Sequence, residues 1–184
     1  DAAGEAFDKT AKILGLGYPG GPKVEAFAKQ GNPKAVPLPR PLIRSAEPHF
    51  SFAGLKSAVV RAHQSGAHRP EDIAASFQQA VVDCLRDRLE KAVRDHGSCA
   101  HLVVAGGVAA NTPIRAMLQQ VAEENDMTFT APPQWLCTDN AAMIAWAGAE
   151  RFAAGLTDPL DFVARPRWPL DPTAEKARGA GVKA

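Results

Sequence analysis

The run Leu102-Val-Val-Ala-Gly-Gly-Val-Ala-Ala-Asn111, followed at once by Thr112-Pro-Ile-Arg-Ala-Met-Leu-Gln-Gln-Val121, leaves few folds open to this chain. Its first residues are apolar and rich in valine, the pattern of a buried strand. Gly106 and Gly107 stop that strand, because glycine enters positive φ freely and lets another backbone or a ligand come close. Asn111 stands where an N-cap belongs and Pro113 falls in the first helical turn. Ile114, Leu118 and Val121 then share one face. A strand, a diglycine turn and a capped helix predict an α/β architecture. They also aim the positive end of a helix dipole, roughly +0.5 of a charge, at whatever occupies the turn. Two readings stay open: a plain strand-to-helix connection capped by Asn111, or a cradle for an anion, most often a phosphate.

The rest of the chain is mostly helical, above all between residues 22 and 97. A helix is predicted from Asp1 to Leu14, with Phe7, Ala11 and Leu14 on one face, Asp1 as its cap and Gly15 closing it. Asp8 points off that face. The cluster Gly17-Tyr-Pro-Gly-Gly-Pro22 is a turn, and Pro22 opens a short helix to Gln30. Prolines from Asn32 to Pro48 enforce an extended connection carrying Lys34, Arg40 and Arg44. Phe50-Ser-Phe52 reads as a brief strand, and Gly54 leads into another helix. Pro70 opens the longest helix, to about His96, with Ile73, Phe77, Val81, Cys84, Leu85, Leu89 and Ala92 as its apolar stripe. A second strand is expected over Met127–Thr130, and a last helix over Ala141–Ala153. Residues 1–161 are therefore expected to form one lobe, and 162–184 a basic, proline-containing tail.

Composition narrows the function. Apolar residues are 46% of the 184, enough for a real core, and a net charge of +1 gives no overall pull toward nucleic acid or membrane. Cys84, Cys99 and Cys137 are odd in number and form no CxxC pattern, so a disulfide framework or zinc knuckle is not indicated and a reducing, cytoplasmic setting is expected. No apolar run approaches the ~20 residues of a membrane span. Opening at Asp1, without a methionine and at a helix start, the chain is expected to lack an upstream segment. No Ser-His-Asp set, Walker loop or histidine pair at ligand spacing is present, which leaves the catalytic residues unknown. Asp139 sits at a strand-to-helix turn as either an N-cap carboxylate or a hard oxygen ligand for a divalent metal.

Five blocks carry a resemblance: Asp1-Ala-Ala-Gly-Glu-Ala-Phe-Asp-Lys-Thr-Ala-Lys12, Gly15-Leu-Gly-Tyr-Pro-Gly-Gly-Pro22, Phe50-Ser-Phe-Ala-Gly-Leu-Lys56, Val104-Ala-Gly-Gly-Val-Ala-Ala-Asn111 and Cys137-Thr-Asp-Asn-Ala-Ala-Met143. In order and spacing they resemble the C-terminal portion of the tRNA adenosine threonylcarbamoyltransferase family, bacterial TsaD type, from Asp1 to about Asp171. The resemblance implies part of an actin-like ATPase (RNase-H-like) lobe, a mixed sheet flanked by helices and incomplete at its N-terminal end. It implies transfer of threonylcarbamoyl from threonylcarbamoyl-AMP to the adenosine 3′ of the anticodon in tRNA. Residue by residue, Asp8, Gly21 and Asn111 match substrate-nucleotide contacts. Glu25 stands where many members have a ribose-contacting aspartate, and Asp139 matches the metal-binding aspartate. One divalent metal ion, iron or zinc, is implied, as are tRNA, a TsaB-type actin-like subunit and a TsaE-type small ATPase as partners, with no membrane. The family's upstream lobe, with its His-x-x-x-His metal pair, is not in this sequence, so the rest of its own chain is a further expected partner and this stretch alone is expected to be inactive. Two other readings stay open: a small-molecule carbamoyltransferase of related fold, or a truncated lobe serving only as a binding module.

Overall fold

The computed structural model describes residues 2–46, 49–97, 99–137, 140–163 and 173. They belong to two compact units, Asp1–Asn140 and Ala141–Ala184. The first contains α1 (Ala3–Ile13), α2 (Gly20–Ala28), α3 (Ala53–Gln64), α4 (Pro70–His96) and α5 (Thr112–Glu124), and a small parallel sheet of β1 (His101–Val103) and β2 (Thr128–Thr130). The pair is in register from His101 opposite Thr128 to Val103 opposite Thr130, with α5 as the crossover between them.

The core lies between α1, α3, α4 and α5. Phe7 of α1 and Phe77 of α4 meet edge to face, centroids 5.0 Å apart. Leu55, Val59, Ile73, Val81, Ile114 and Val121 are buried around them. Of the predicted α4 stripe, Ile73, Phe77, Val81 and Cys84 are buried and Leu85, Leu89 and Ala92 half-buried, and among the buried residues that the stripe left out is a charge. Arg88 stands one turn beyond Cys84 and is only 3% exposed. Its guanidinium binds the Asp87 carboxylate and donates to the Ser45 carbonyl at 3.1 Å, so the buried charge is paired, as burial requires.

Arg88 is the last of several α4 side chains that hold the segment from Asn32 to Ser45. The Asn32 N–H donates to Asp72 Oδ1 at 2.8 Å and the Val36 N–H to Ser76 Oγ at 3.1 Å. Arg40 is paired with Asp83 at 2.8 Å, and the Arg44 N–H reaches Asp87 at 3.3 Å. The proline-rich connection is thus a strap tied along the long helix.

Helix α1 ends as expected: Gly15 takes φ +71° and the Leu16 N–H returns to the Ala11 carbonyl at 2.9 Å. Its expected cap, Asp1, lies outside the described residues. Three expectations are corrected. Residues 50–52 form no strand; Phe52, at φ −124° and ψ 1°, is the residue before α3 and turns its ring into the core, while Phe50 is exposed. Helix α2 begins at Gly20, two residues ahead of Pro22, because Asp8 of α1 supplies a cap that the local sequence lacks. The strands are not buried on both faces: only Leu102 and Phe129 are half-buried, and Val103 is 68% exposed. In place of a mixed sheet, the described residues hold the one parallel pair.

The second unit contains α6 (Ala141–Ala153), closed by Gly155 at φ +71° with the Leu156 N–H on the Arg151 carbonyl at 2.9 Å. Arg151 also reaches Asp158 at 3.2 Å. Among the described residues no helix is long and apolar enough to cross a membrane.

Candidate nucleotide-binding cleft

A cleft of about 350 Å³ opens where α1, α2 and the turn before α5 converge. Asp8, Gly21, Glu25 and Asn111, separated by up to about a hundred residues in sequence, all line it. The three elements are joined by a relay of caps. Asp8 of α1 accepts the Gly20 N–H of α2 at 2.8 Å. Glu25 of α2 in turn accepts the Thr112 N–H of α5 at 3.1 Å. Each carboxylate lies at the positive end of a helix dipole, a placement worth typically 0.3–1 kcal/mol near a surface. The anion that the α5 N-terminus attracts is, in this structure, the chain's own Glu25.

Asn111 is 7% exposed and occupies the predicted N-cap, its Oδ1 accepting the Ile114 N–H at 3.1 Å. Its Nδ2 donates to Gln78 Oε1 of α4 at 3.0 Å. Just before it, Gly106 takes φ +91° and residues Gly107–Ala110 make a 3₁₀ turn, a detail that the diglycine pattern did not specify.

The glycines of the cleft do different work. A Cβ at Gly20 would collide with Asp8 and Ala11, so this glycine lets α2 press against α1. A Cβ at Gly21 or Gly107 would meet nothing within 4 Å, so the backbone there is uncovered. The amides of Gly21, Gly107 and Val108 lie in the first turns of their helical segments, where no intrahelical acceptor exists. They border the cleft as candidate donors to an anion. Tyr18, 80% exposed, adds an aromatic face on the rim, preceding a cis peptide bond to Pro19. Sequence reasoning assigned no role to Tyr18, Val108 or Gln78; an aromatic between two glycines and a proline was the one available signal.

Asp139, the expected metal ligand, lies outside the described residues. Among those described, no group of three or more His, Cys, Asp or Glu side chains could hold a metal ion.

Comparison with known proteins bears on the same stretch. The sequence model of the family described as "TsaD: tRNA N6-adenosine threonylcarbamoyltransferase" matches residues 1–146. The chain belongs to this family. It is 72% identical over its whole length to the tRNA N6-adenosine threonylcarbamoyltransferase of Sphingopyxis alaskensis, covering 54% of that protein. Identity is 68% to the protein of that name from Erythrobacter litoralis, again over the full chain and 54% of the relative. It is 66% for the one from Novosphingobium aromaticivorans, 53% of which is covered. The chain therefore spans about half the length of these TsaD relatives.

Proposed function

We propose that this chain is the C-terminal part of a cytoplasmic transferase that moves threonylcarbamoyl from threonylcarbamoyl-AMP to N6 of the adenosine 3′ of the anticodon in tRNA. The observation that carries the reading is the convergence of Asp8, Gly21, Glu25 and Asn111 on one cleft. An adenylate has a flat base, ribose hydroxyls and a phosphate. The Tyr18 ring offers a face for the base, the Asp8 and Glu25 carboxylates offer acceptors to hydroxyls, and the uncovered amides suit the phosphate. In the transfer, the N6 nitrogen forms a bond to the carbamoyl carbon, the carbon–oxygen bond to the phosphate breaks, AMP leaves and N6 loses a proton. The residues described here bind and orient the donor. A divalent metal such as iron or zinc, held with Asp139 by groups outside those described, belongs to the same proposal and would supply a Lewis acid. So do tRNA, a TsaB-type subunit and a TsaE-type ATPase as partners.

The test is transfer of labelled threonylcarbamoyl from threonylcarbamoyl-AMP to tRNA by the full-length protein, with AMP affinity measured in parallel. Transfer to tRNA, lost together with AMP binding in Asp8→Ala, is the expected result. Label appearing on a small free acceptor with tRNA untouched would point to a carbamoyltransferase of small metabolites. AMP binding that ignores Asp8 would refute the placement of the donor.

A further inference from the structure

We infer that Gln78, in the middle of α4, is a positioning residue that holds the Asn111 amide in the orientation it presents to the nucleotide. An asparagine amide can sit in two orientations, with oxygen and nitrogen exchanged, and in a binding site the two are chemically opposite. At Asn111 the start of α5 makes the choice and Gln78 holds it. The Ile114 N–H is a donor and accepts no alternative, so it demands the Asn111 oxygen at 3.1 Å. The nitrogen then faces Gln78, whose Oε1 accepts from Nδ2 at 3.0 Å. A flipped Asn111 would set an N–H against the Ile114 N–H and lose the cap, and it would keep its bond to Gln78 only if the Gln78 amide turned as well.

With Asn111 buried and held at both ends, its Nδ2 keeps one further N–H. Asn111 borders the cleft and Gln78 does not, so Gln78 acts through Asn111. The group offered to the ligand is thereby a donor, which suits a ribose or carbonyl oxygen or an unprotonated ring nitrogen. Helix α4 contributes no residue to the cleft wall. Through Gln78 the long helix reaches the polar side of the site, as it reaches the apolar side through Phe77 on Phe7.

The inference rests on Asn111 being a nucleotide contact, and the experiment separates the two. In the full-length protein, AMP affinity and thermal midpoint are measured for Gln78→Leu, Gln78→Glu and Asn111→Ala. Gln78→Leu removes the acceptor at similar volume and should weaken AMP binding by about 5–10-fold, the scale of one hydrogen bond. Gln78→Glu keeps an acceptor facing Nδ2 and should stay within about twofold of the parent, a rescue that a purely structural role for Gln78 would not produce. If Asn111→Ala loses AMP and Gln78→Leu does not, Gln78 orients nothing and this inference falls while the site stands. If neither variant changes AMP affinity, the nucleotide reading of Asn111 falls and takes this one with it. Should Gln78→Leu fail to fold, Gln78→Met takes its place: AMP affinity weakened by about 5–10-fold supports the inference, and affinity equal to the parent's overturns it.

Discussion

Replacing Gly20 with alanine sets helix propensity against packing. Alanine is favoured over glycine within a helix by up to about 1 kcal/mol, so propensity alone predicts stabilisation. The structure predicts the opposite sign. A Cβ at Gly20 would lie 2.6 Å from Asp8 Cα, 2.8 Å from Asp8 Oδ1 and 2.9 Å from Ala11 Cβ. The first of these is a backbone atom of α1 and has no rotamer to escape into. Forcing an extra carbon into such a contact costs typically 1–3 kcal/mol. Prising α2 from α1 also lengthens the bond from the Gly20 N–H to the Asp8 carboxylate, and a hydrogen bond to a charged group contributes about 1.5–3 kcal/mol. Against at most about 1 kcal/mol gained, Gly20→Ala should lose roughly 2 kcal/mol net. For a cooperative unit of 150–250 residues that is a fall in Tm of about 4–8 °C. Gly21→Ala is the control: it too lies in α2 and nothing stands within 4 Å of its Cβ, so its Tm should hold or rise with helix propensity. Differential scanning calorimetry of both variants in the full-length protein checks the pair. A Gly20→Ala protein with an unchanged or raised Tm would refute the claim that this glycine is required by the approach of α2 to α1.

Asn111→Ala should lower stability by about 1 kcal/mol through the lost cap and also abolish measurable AMP binding; calorimetric affinity equal to the parent's would leave Asn111 a cap and nothing more. Gly31→Ala should be at least as damaging as Gly20→Ala, since its Cβ would fall 2.0 Å from the Glu71 carbonyl oxygen, and the comparison of thermal midpoints tests it. The Asp87 carboxyl is pushed up by burial but pulled further down by Arg88 and the Arg44 N–H, and it ends below its ordinary value. A carboxyl with a lowered folded pKa contributes stability above its unfolded pKa and loses it as pH falls through the folded one. Asp87→Asn should therefore be less stable at neutral pH, with the gap to the parent closing in acid. Urea midpoints at about pH 7 and about pH 3 measure this, and a gap that does not change with pH would refute it.

The elements that the sequence revealed best were those whose causes are local. Helix α5 could be read from Asn111, Pro113 and the spacing of Ile114, Leu118 and Val121, and α4 from Pro70 and its stripe. The errors come where a distant residue decides. Nothing near Pro22 says that α2 starts at Gly20; that depends on Asp8, twelve residues away and on another helix. Two phenylalanines two apart look like an alternating strand, yet Phe52 is the residue before α3 and enters the core from there, with no strand pairing. Arg88 lies on the apolar face of α4, where a charge reads as a break in the pattern until its partners Asp87 and Ser45 are seen. In the site, the turn before Asn111 could be read from the residues as a candidate anion cradle, while the substrate-contact roles of Asp8, Gly21, Glu25 and Asn111 came only from resemblance to a family. Their convergence is set by packing, and no periodicity encodes a contact between Glu25 and Thr112 across 87 residues. Gln78 looked like any polar residue of a solvated helix face.

The strap along α4 has a consequence in polymer terms. Its ties join residues 40 to 43 apart: Asn32 to Asp72, Val36 to Ser76, Arg40 to Asp83, Arg44 to Asp87 and Ser45 to Arg88. Closing a first loop of that length costs about 3 kcal/mol of chain entropy, on the (3/2)RT ln n scaling. Every later tie encloses nearly the same residues, because each step along the strap is matched by a step along the helix. The entropy is spent once and shared, so the ties close and open as a zipper. Losing one of them removes a single bond and leaves the loop closed by its neighbours.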